Sequence, residues 1–389
     1  MMRKPIASHR RRLVWRWLSI AIWLNSLWIA GCAVLAPSSA RAPSPLVAQG
    51  VCVVADTTLS QALALAIPGH TQPIAALSFS SDDALLHVLH AGAPGTLNTW
   101  RLGAAPQLVR QTIMHEVGRR GAQFNATGSR LAVTAGRPDT ERYLFSYTAM
   151  DHLGSALTGV QIWDPTTGEL LRHLWNESDR LPPTSRWTDA ALSADGRLVL
   201  SVELGGFNMD DVVTNKGQCS YGRIIRNQLD QTTTAAGFAP QGGVFATGGT
   251  HGYVNLYQMG NRPGACRDLS GLMMADDEVA LRLAFHPTDK RYAVLSNRSL
   301  WLAGWPASLF SHARHVVRSE SLLGDLQFSP DGRWLAVASP HGLEVRSYPG
   351  LAVVASDTSI SATAVAFSAA NCTLAVGDSV GIVRLYALR

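Results

Sequence analysis

FSPDGRWLAVAS, residues 328–339, decides the fold. It opens on an aromatic residue, passes through a polar turn and ends in an apolar run. Pro330, Asp331 and Gly332 supply a tight reversal. Leu335, Ala336, Val337 and Ala338 are apolar on both faces of any strand they form. A strand without polar alternation belongs in a sheet covered on both sides. Period alone would also allow a buried helix. The run is short, continues in β-branched residues in its other copies and has turn residues at both ends, and these features decide for strand.

Outward from this segment the unit recurs. FSSDDALLHVLHAG starts at Phe79, FNATGSRLAVTAG at Phe124, LSADGRLVLSVE at Leu192, FAPQGGVFATGG at Phe238, FHPTDKRYAVLS at Phe285 and FSAANCTLAVGD at Phe367. That makes seven copies, with anchors 45, 68, 46, 47, 43 and 39 residues apart. A second β run with an aromatic follows each: TLNTWRL (96–102), VQIWD (160–164), YVNLYQM (253–259), LWLAGW (300–305), LEVRSY (343–348) and IVRLYAL (382–388). The third copy is the exception, where only GRIIRNQ near residue 222 fits. Units of about 40–45 residues, each making four strands, are the pattern of a β-propeller. The expectation is an all-β, seven-bladed β-propeller of four-stranded antiparallel blades over residues 51–389, with small residues where the wedges crowd toward the axis. The chain stops after the third strand of copy seven. The run LSQALALAI, residues 59–67, is therefore expected to close that blade as its outer strand, which removes an exposed edge.

These residues resemble the WD-repeat β-propeller family over most of residues 59–389. Trp163-Asp164 is the name-giving dipeptide, and Trp100, Tyr257, Trp305, Tyr348 and Tyr386 stand at similar places in other copies. Gly69-His70 matches the Gly-His pair that precedes a first strand, thirty residues before Trp100. The resemblance implies a structural network in which such a His bonds through a hydroxyl to the Trp and a turn Asp. His70, Trp100, Trp163 and Asp164 are its candidate members. It also implies a protein–protein interaction scaffold.

Charge separates the chain into two parts. The whole carries +5, yet residues 1–42 hold seven Arg or Lys and no acid, which leaves 26 basic against 28 acidic residues over 43–389. The body has no basic stripe with which to neutralise phosphates, so a nucleic-acid partner is not expected. The basic start runs into WLSIAIWLNSLWIAGCAVLA, residues 17–36, twenty residues without a charge. As a helix this leader could span a bilayer, and the positive flank would send the body of the chain across. Residues 1–36 thus read as a signal peptide or membrane anchor, and residues 37–50 as a Pro/Ser/Ala-rich linker. Three fates compete: lipidation at Cys32, since Ile29-Ala30-Gly31-Cys32 resembles a bacterial lipobox; retention as a signal anchor; or cleavage after Ser38-Ser39-Ala40. All three place the body outside the cytoplasm, facing the periplasm or the extracellular side. There the thiols of Cys52, Cys219, Cys266 and Cys372 are free to pair in any of three connectivities. Cys219 with Cys266 is one candidate pair, and free buried thiols are the alternative.

No catalytic motif occurs: no G-x-S-x-G, no H-E-x-x-H and no phosphate-cradling glycine loop. Asp210-Asp211 and Asp276-Asp277 have the chemistry of calcium ligands, but solvated loop charge explains them as well, and no cofactor or metal site is expected. Four N-x-[ST] sequons occur, at Asn125, Asn176, Asn297 and Asn371. Insertions concentrate after Ala135, after Leu204 and at WNESDRLPPTSRW (175–187), and the expected topology opens all three on one face. Tyr143, Phe145, Tyr147, Met150, Trp175, Arg180, Trp187, Phe207, Met209 and Asp210 are the candidate partner-binding residues there, because aromatic, Met and Arg side chains favour interface centres. The expected function is a non-enzymatic scaffold tethered in the cell envelope and binding a protein partner. The alternative is a propeller enzyme, of lactonase or quinone-dependent dehydrogenase type. Its axial site would draw on first-strand starts read as Ile74, Ala122, Asp189, Ala235, Leu281, Asp325 and Thr363.

Overall fold

Each of the seven anchor residues ends a strand, and each of those strands is the first of a four-stranded sheet. The computed structural model describes residues 59–65, 71–114, 117–118, 120–135, 159–174, 187–203, 206–222, 232–260, 265–305, 314–318, 324–369 and 373–388. Ala48–Arg389 forms one unit. The leader, Cys32 and the linker lie outside the described residues.

Among the described residues there are 28 strands and no helix. β1 (Ser60–Leu65) comes first. Blade one is β2 (Ile74–Phe79), β3 (Leu85–His90), β4 (Gly95–Arg101) and β5 (Gln107–Met114). Blade two is β6 (Ala122–Phe124), β7 (Leu131–Ala135), β8 (Gly159–Asp164) and β9 (Glu169–Leu174). Blade three is β10 (Trp187–Leu192), β11 (Leu198–Glu203), β12 (Gly206–Asp211) and β13 (Lys216–Gly222). Blade four is β14 (Thr233–Phe238), β15 (Val244–Gly249), β16 (Tyr253–Met259) and β17 (Cys266–Met273). Blade five is β18 (Ala280–Phe285), β19 (Arg291–Ser296), β20 (Ser299–Gly304) and β21 (Arg314–Arg318). Blade six is β22 (Leu326–Phe328), β23 (Trp334–Ser339), β24 (Gly342–Ser347) and β25 (Val353–Asp357). The last sheet holds β26 (Ala362–Phe367), β27 (Thr373–Asp378) and β28 (Val383–Ala387), with β1 antiparallel to β28 from Ser60 opposite Ala387 to Leu65 opposite Val383.

The first hairpin of each blade is fixed by the residue after its anchor. Ser80, Ser193, Ser329 and Ser368 accept the amides of Leu85, Leu198, Trp334 and Thr373 on their hydroxyls. Asn125 accepts the Arg130 amide, and His286 accepts the Asp289 amide on Nδ1. Ala239 has no such group; its turn instead places Gly242 and Gly243 at φ 74° and 72°, which only glycine adopts freely. The local sequence therefore sets seven equivalent reversals by four different means.

Each first strand packs on the first strands of both neighbours, β26 against β2 included, so the blades form a ring. The core lies between sheets. Ile74, Leu77, Phe79, Leu86 and Val88 of blade one share a cluster with Ala364, Ala375, Val383 and Leu385 of the seventh. Blades three and four share Phe207, Met209, Phe245 and Tyr257, and blades four and five share Val254, Leu256, Leu283 and Tyr292. Burying a large apolar side chain contributes about 1.5–3 kcal/mol, and these side chains would lie in water in a lone blade.

Two expectations about copy three are corrected. The segment expected as an insertion after Leu204 holds a strand: β12 occupies 206–211 and pairs with β11, Leu198 opposite Asp211 and Val202 opposite Phe207. GRIIRNQ is not the third strand of this blade; β13 ends at Gly222 as its fourth. The physical signal is alternation. Phe207 and Met209 point into the core at 3% and 0% exposure, while Asn208 and Asp210 between them are half-buried.

Candidate functional site

Register locates the residues that face the axis. In five sheets the first strand skips one partner, four residues before the anchor, where a β-bulge falls. Strand starts are therefore a poor ruler, and counting back three from each anchor aligns Ala76, Gly121, Asp189, Ala235, Arg282, Asp325 and Ala364. The row expected for an axial enzyme site, which has Leu281 where Arg282 belongs, mixes four registers, from two to five residues before the anchor.

Aligned in this way, three charged side chains meet. Arg282 Nη1 lies 3.4 Å from Asp189 Oδ1, and its Nε lies 3.5 Å from Asp325 Oδ1. Asp189 Oδ2 also accepts Gln123 Nε2 at 3.0 Å and the Ala236 amide at 3.1 Å. Asp325 Oδ1 accepts the Leu326 amide at 3.0 Å, and its Oδ2 accepts the Val365 amide at 3.2 Å. Gln327 Oε1 accepts the Phe367 amide at 2.8 Å. Blades two to seven are thus joined through one polar network. Asp189 is fully buried and Arg282 nearly so, while the Asp325 side chain keeps 23% exposure. Burial pushes both carboxyls above the ordinary range, and the Arg282 charge and the amide donors pull them back. Each of the four carboxylate oxygens has a donor from the protein.

A second set of polar links runs through the first hairpins. The Ala369 amide donates to Asp83, Asn125 Nδ2 to the Ala194 carbonyl, Gln241 Nε2 to the Pro287 carbonyl and His286 Nε2 to the Gly332 carbonyl. Gly332 is required there, because a Cβ would stand 2.5 Å from the His286 ring.

The residues of the WD-like resemblance have varied places. Seven positions after each anchor, the partner residue on the third strand is Trp100, Trp163, Asp210, Tyr257, Ala303, Arg346 and Tyr386. Trp305 and Tyr348 are not equivalent to the others: each follows the end of its strand. Trp305 packs edge-on to Phe285, and Tyr348 lies on His286 with its hydroxyl donating to Asp289. Trp163 donates to Gln161, two residues away, and Trp100 packs at the boundary of blades one and seven. Asp164 closes its own turn by accepting the Thr166 and Thr167 amides and pairs with Arg130 at 3.2 Å. His70 lies outside the described residues. A hydroxyl-and-indole network occurs in blade five, on residues that no motif of the sequence marks. There the buried Glu278 accepts Ser296, Ser299 and Trp301 at 2.7, 3.0 and 2.9 Å.

Of the candidate partner-binding residues, Tyr143, Phe145, Tyr147, Met150, Trp175 and Arg180 lie outside the described residues. Trp187 is corrected from loop to first residue of β10, opposite Glu203. Phe207 and Met209 are corrected from surface to core: Phe207 meets Phe245 at 5.2 Å and Tyr257 at 4.8 Å. Asp210 is corrected to a strand position opposite Val199, where burial pushes its carboxyl up. Asp211 caps the following turn and pairs with Arg197 at 2.8 Å, and Asp277 pairs with Arg298, so both acidic pairs have a structural use. Asn125 is buried and bonded through both ends of its amide, which excludes that sequon from modification in the folded chain. Cys219 on β13 and Cys266 on β17 form a disulfide across blades three and four.

No protein-family model matches the chain, and neither does any of the curated proteins compared with it. The architecture stands on its strand order and register.

Proposed function

We propose that the chain is an exported, WD-repeat-like propeller that acts as a non-enzymatic scaffold, docking a protein partner in the cell envelope through one face of blades two to four. The observation that carries this reading is the occupation of the axis. A propeller enzyme needs convergent acids with free oxygens, and here every oxygen of Asp189 and Asp325 already accepts from the fold's own N–H groups. Groups spent on holding blades together are poor candidates for binding a substrate.

The strand order supports the choice of face. In antiparallel sheets the second-to-third connection and the connection to the next blade leave on the same side. Residues 136–158, 175–186 and 223–231 therefore all depart from one face, in adjacent blades. Loops held by rigid strands suit recognition. The Cys219–Cys266 disulfide supports export, because such bonds persist in oxidising compartments. In this reading Cys32 or the leader anchors the chain, and β1, paired to β28, ties the membrane-proximal end into the seventh blade.

The test compares the full chain with a form lacking residues 138–157, each used to capture envelope proteins from solubilised membranes. The reading expects a defined partner to be retained by the first and lost by the second, with both unfolding at the same temperature. Retention by both would reject this face as the docking site.

A further inference from the structure

The axial cluster holds one more negative charge than positive. Asp189 and Asp325 share the single guanidinium of Arg282 at 3.4 and 3.5 Å. Around them, β6 contributes the neutral Gln123, β14 the Ala236 amide, β22 the Leu326 amide and Gln327, and β26 the Val365 amide. The sequences of the seven first strands, β2 included, contain no titratable side chain other than Asp189 and Arg282. A buried excess charge is costly, and nothing on these strands compensates it.

We propose that the Asp189–Arg282–Asp325 triad is a proton-binding site that takes up one proton as a unit and tightens the ring when it does. The proton passes from solvent to a carboxylate oxygen, no bond breaks, and the cluster becomes neutral. Asp325, with its side chain 23% exposed, provides the route to solvent. The two carboxyls titrate as a coupled pair. The direction of their shifts agrees, since burial raises both above the ordinary carboxyl value of 3.8. A carboxyl raised on folding gives stability that is complete below its unfolded value and is lost as pH rises through its folded value. The triad therefore opposes the usual acid weakening of a folded protein.

The experiment is urea unfolding of the full chain and of Asp325→Asn from about pH 4 to about pH 8. Asn at 325 leaves one carboxylate with one guanidinium, a neutral pair with no use for a proton. The folding constant of the natural chain relative to the variant should fall with rising pH, by up to about tenfold per pH unit while the proton leaves, and then level off. A flat ratio, or one that rises with pH, overturns the proposal. Infrared spectra of the natural chain with labelled aspartate give a second readout that needs no variant. A protonated-carboxyl band at mildly acid pH that fades on titration is expected, and its absence across the whole range overturns the proposal.

Discussion

His87 shows how one side chain joins two blades. It sits on β3, fully buried, with its ring stacked 6.1 Å from Phe124 of the next blade. Thr99 Oγ1 donates to the Pro165 carbonyl at 2.8 Å, so its lone pair is left to accept His87 Nδ1–H at 3.0 Å. That fixes the neutral tautomer, and burial holds the imidazole down at about 4 against the opposing pull of Asp164. A His lowered on folding gives stability that is present above its unfolded value near 6.5 and is lost as pH falls through its folded value. We expect up to about 3 kcal/mol to disappear over that window. Imidazole NMR should show His87 uncharged at pH 5; titration near pH 6.5 would contradict the placement. At this scale the sequence is legible where a residue serves its own turn, as Asp164 and the Ser-Pro-Asp-Gly reversal do. It is not legible where a partner comes from another blade. Nothing near His87 in the chain announces Pro165, and nothing near Asp189 announces Arg282.

Elements are more securely legible than residues, and the failure in blade three has a definite cause. Gly206–Asp211 carries three acids or amides in six residues, which looks like loop. Phe207 and Met209 are nevertheless two apart, the period of a strand, and the acid that ends the run is a turn cap. Composition hides what alternation shows. The same blade carries the disulfide between its outer strand and that of blade four, which closes a loop of 47 residues. Chain entropy assigns about 4 kcal/mol to a bridge of that span. Urea unfolding of Cys219→Ala with Cys266→Ala should show a loss of that order with no change in far-ultraviolet circular dichroism. An unaltered midpoint would mean the two outer strands are held by packing alone.

For the whole molecule, seven sheets are stable together because each covers its neighbours, and the repeat spacing makes that legible without knowledge of any contact. The axial network is only half legible. Asp189 and Asp325 are visible as first-strand acids, but the bulge four residues before the anchor displaces Arg282 from the row. The proposed partner face remains the least legible feature, because most of the aromatic residues assigned to it belong to insertions that no repeat constrains.

Packing of adjacent blades makes one demand that a lone blade would not meet. The innermost strands have no neighbouring strand of their own sheet on the axial edge, and the amides of Ala236 and Val365 donate instead to Asp189 and Asp325 of the preceding blade. Residue-resolved hydrogen exchange on the native chain tests this directly. Blade-on-blade packing predicts that both amides exchange as slowly as the ladder amides of β15 and β27, whereas exchange at the rate of an unprotected amide would contradict it.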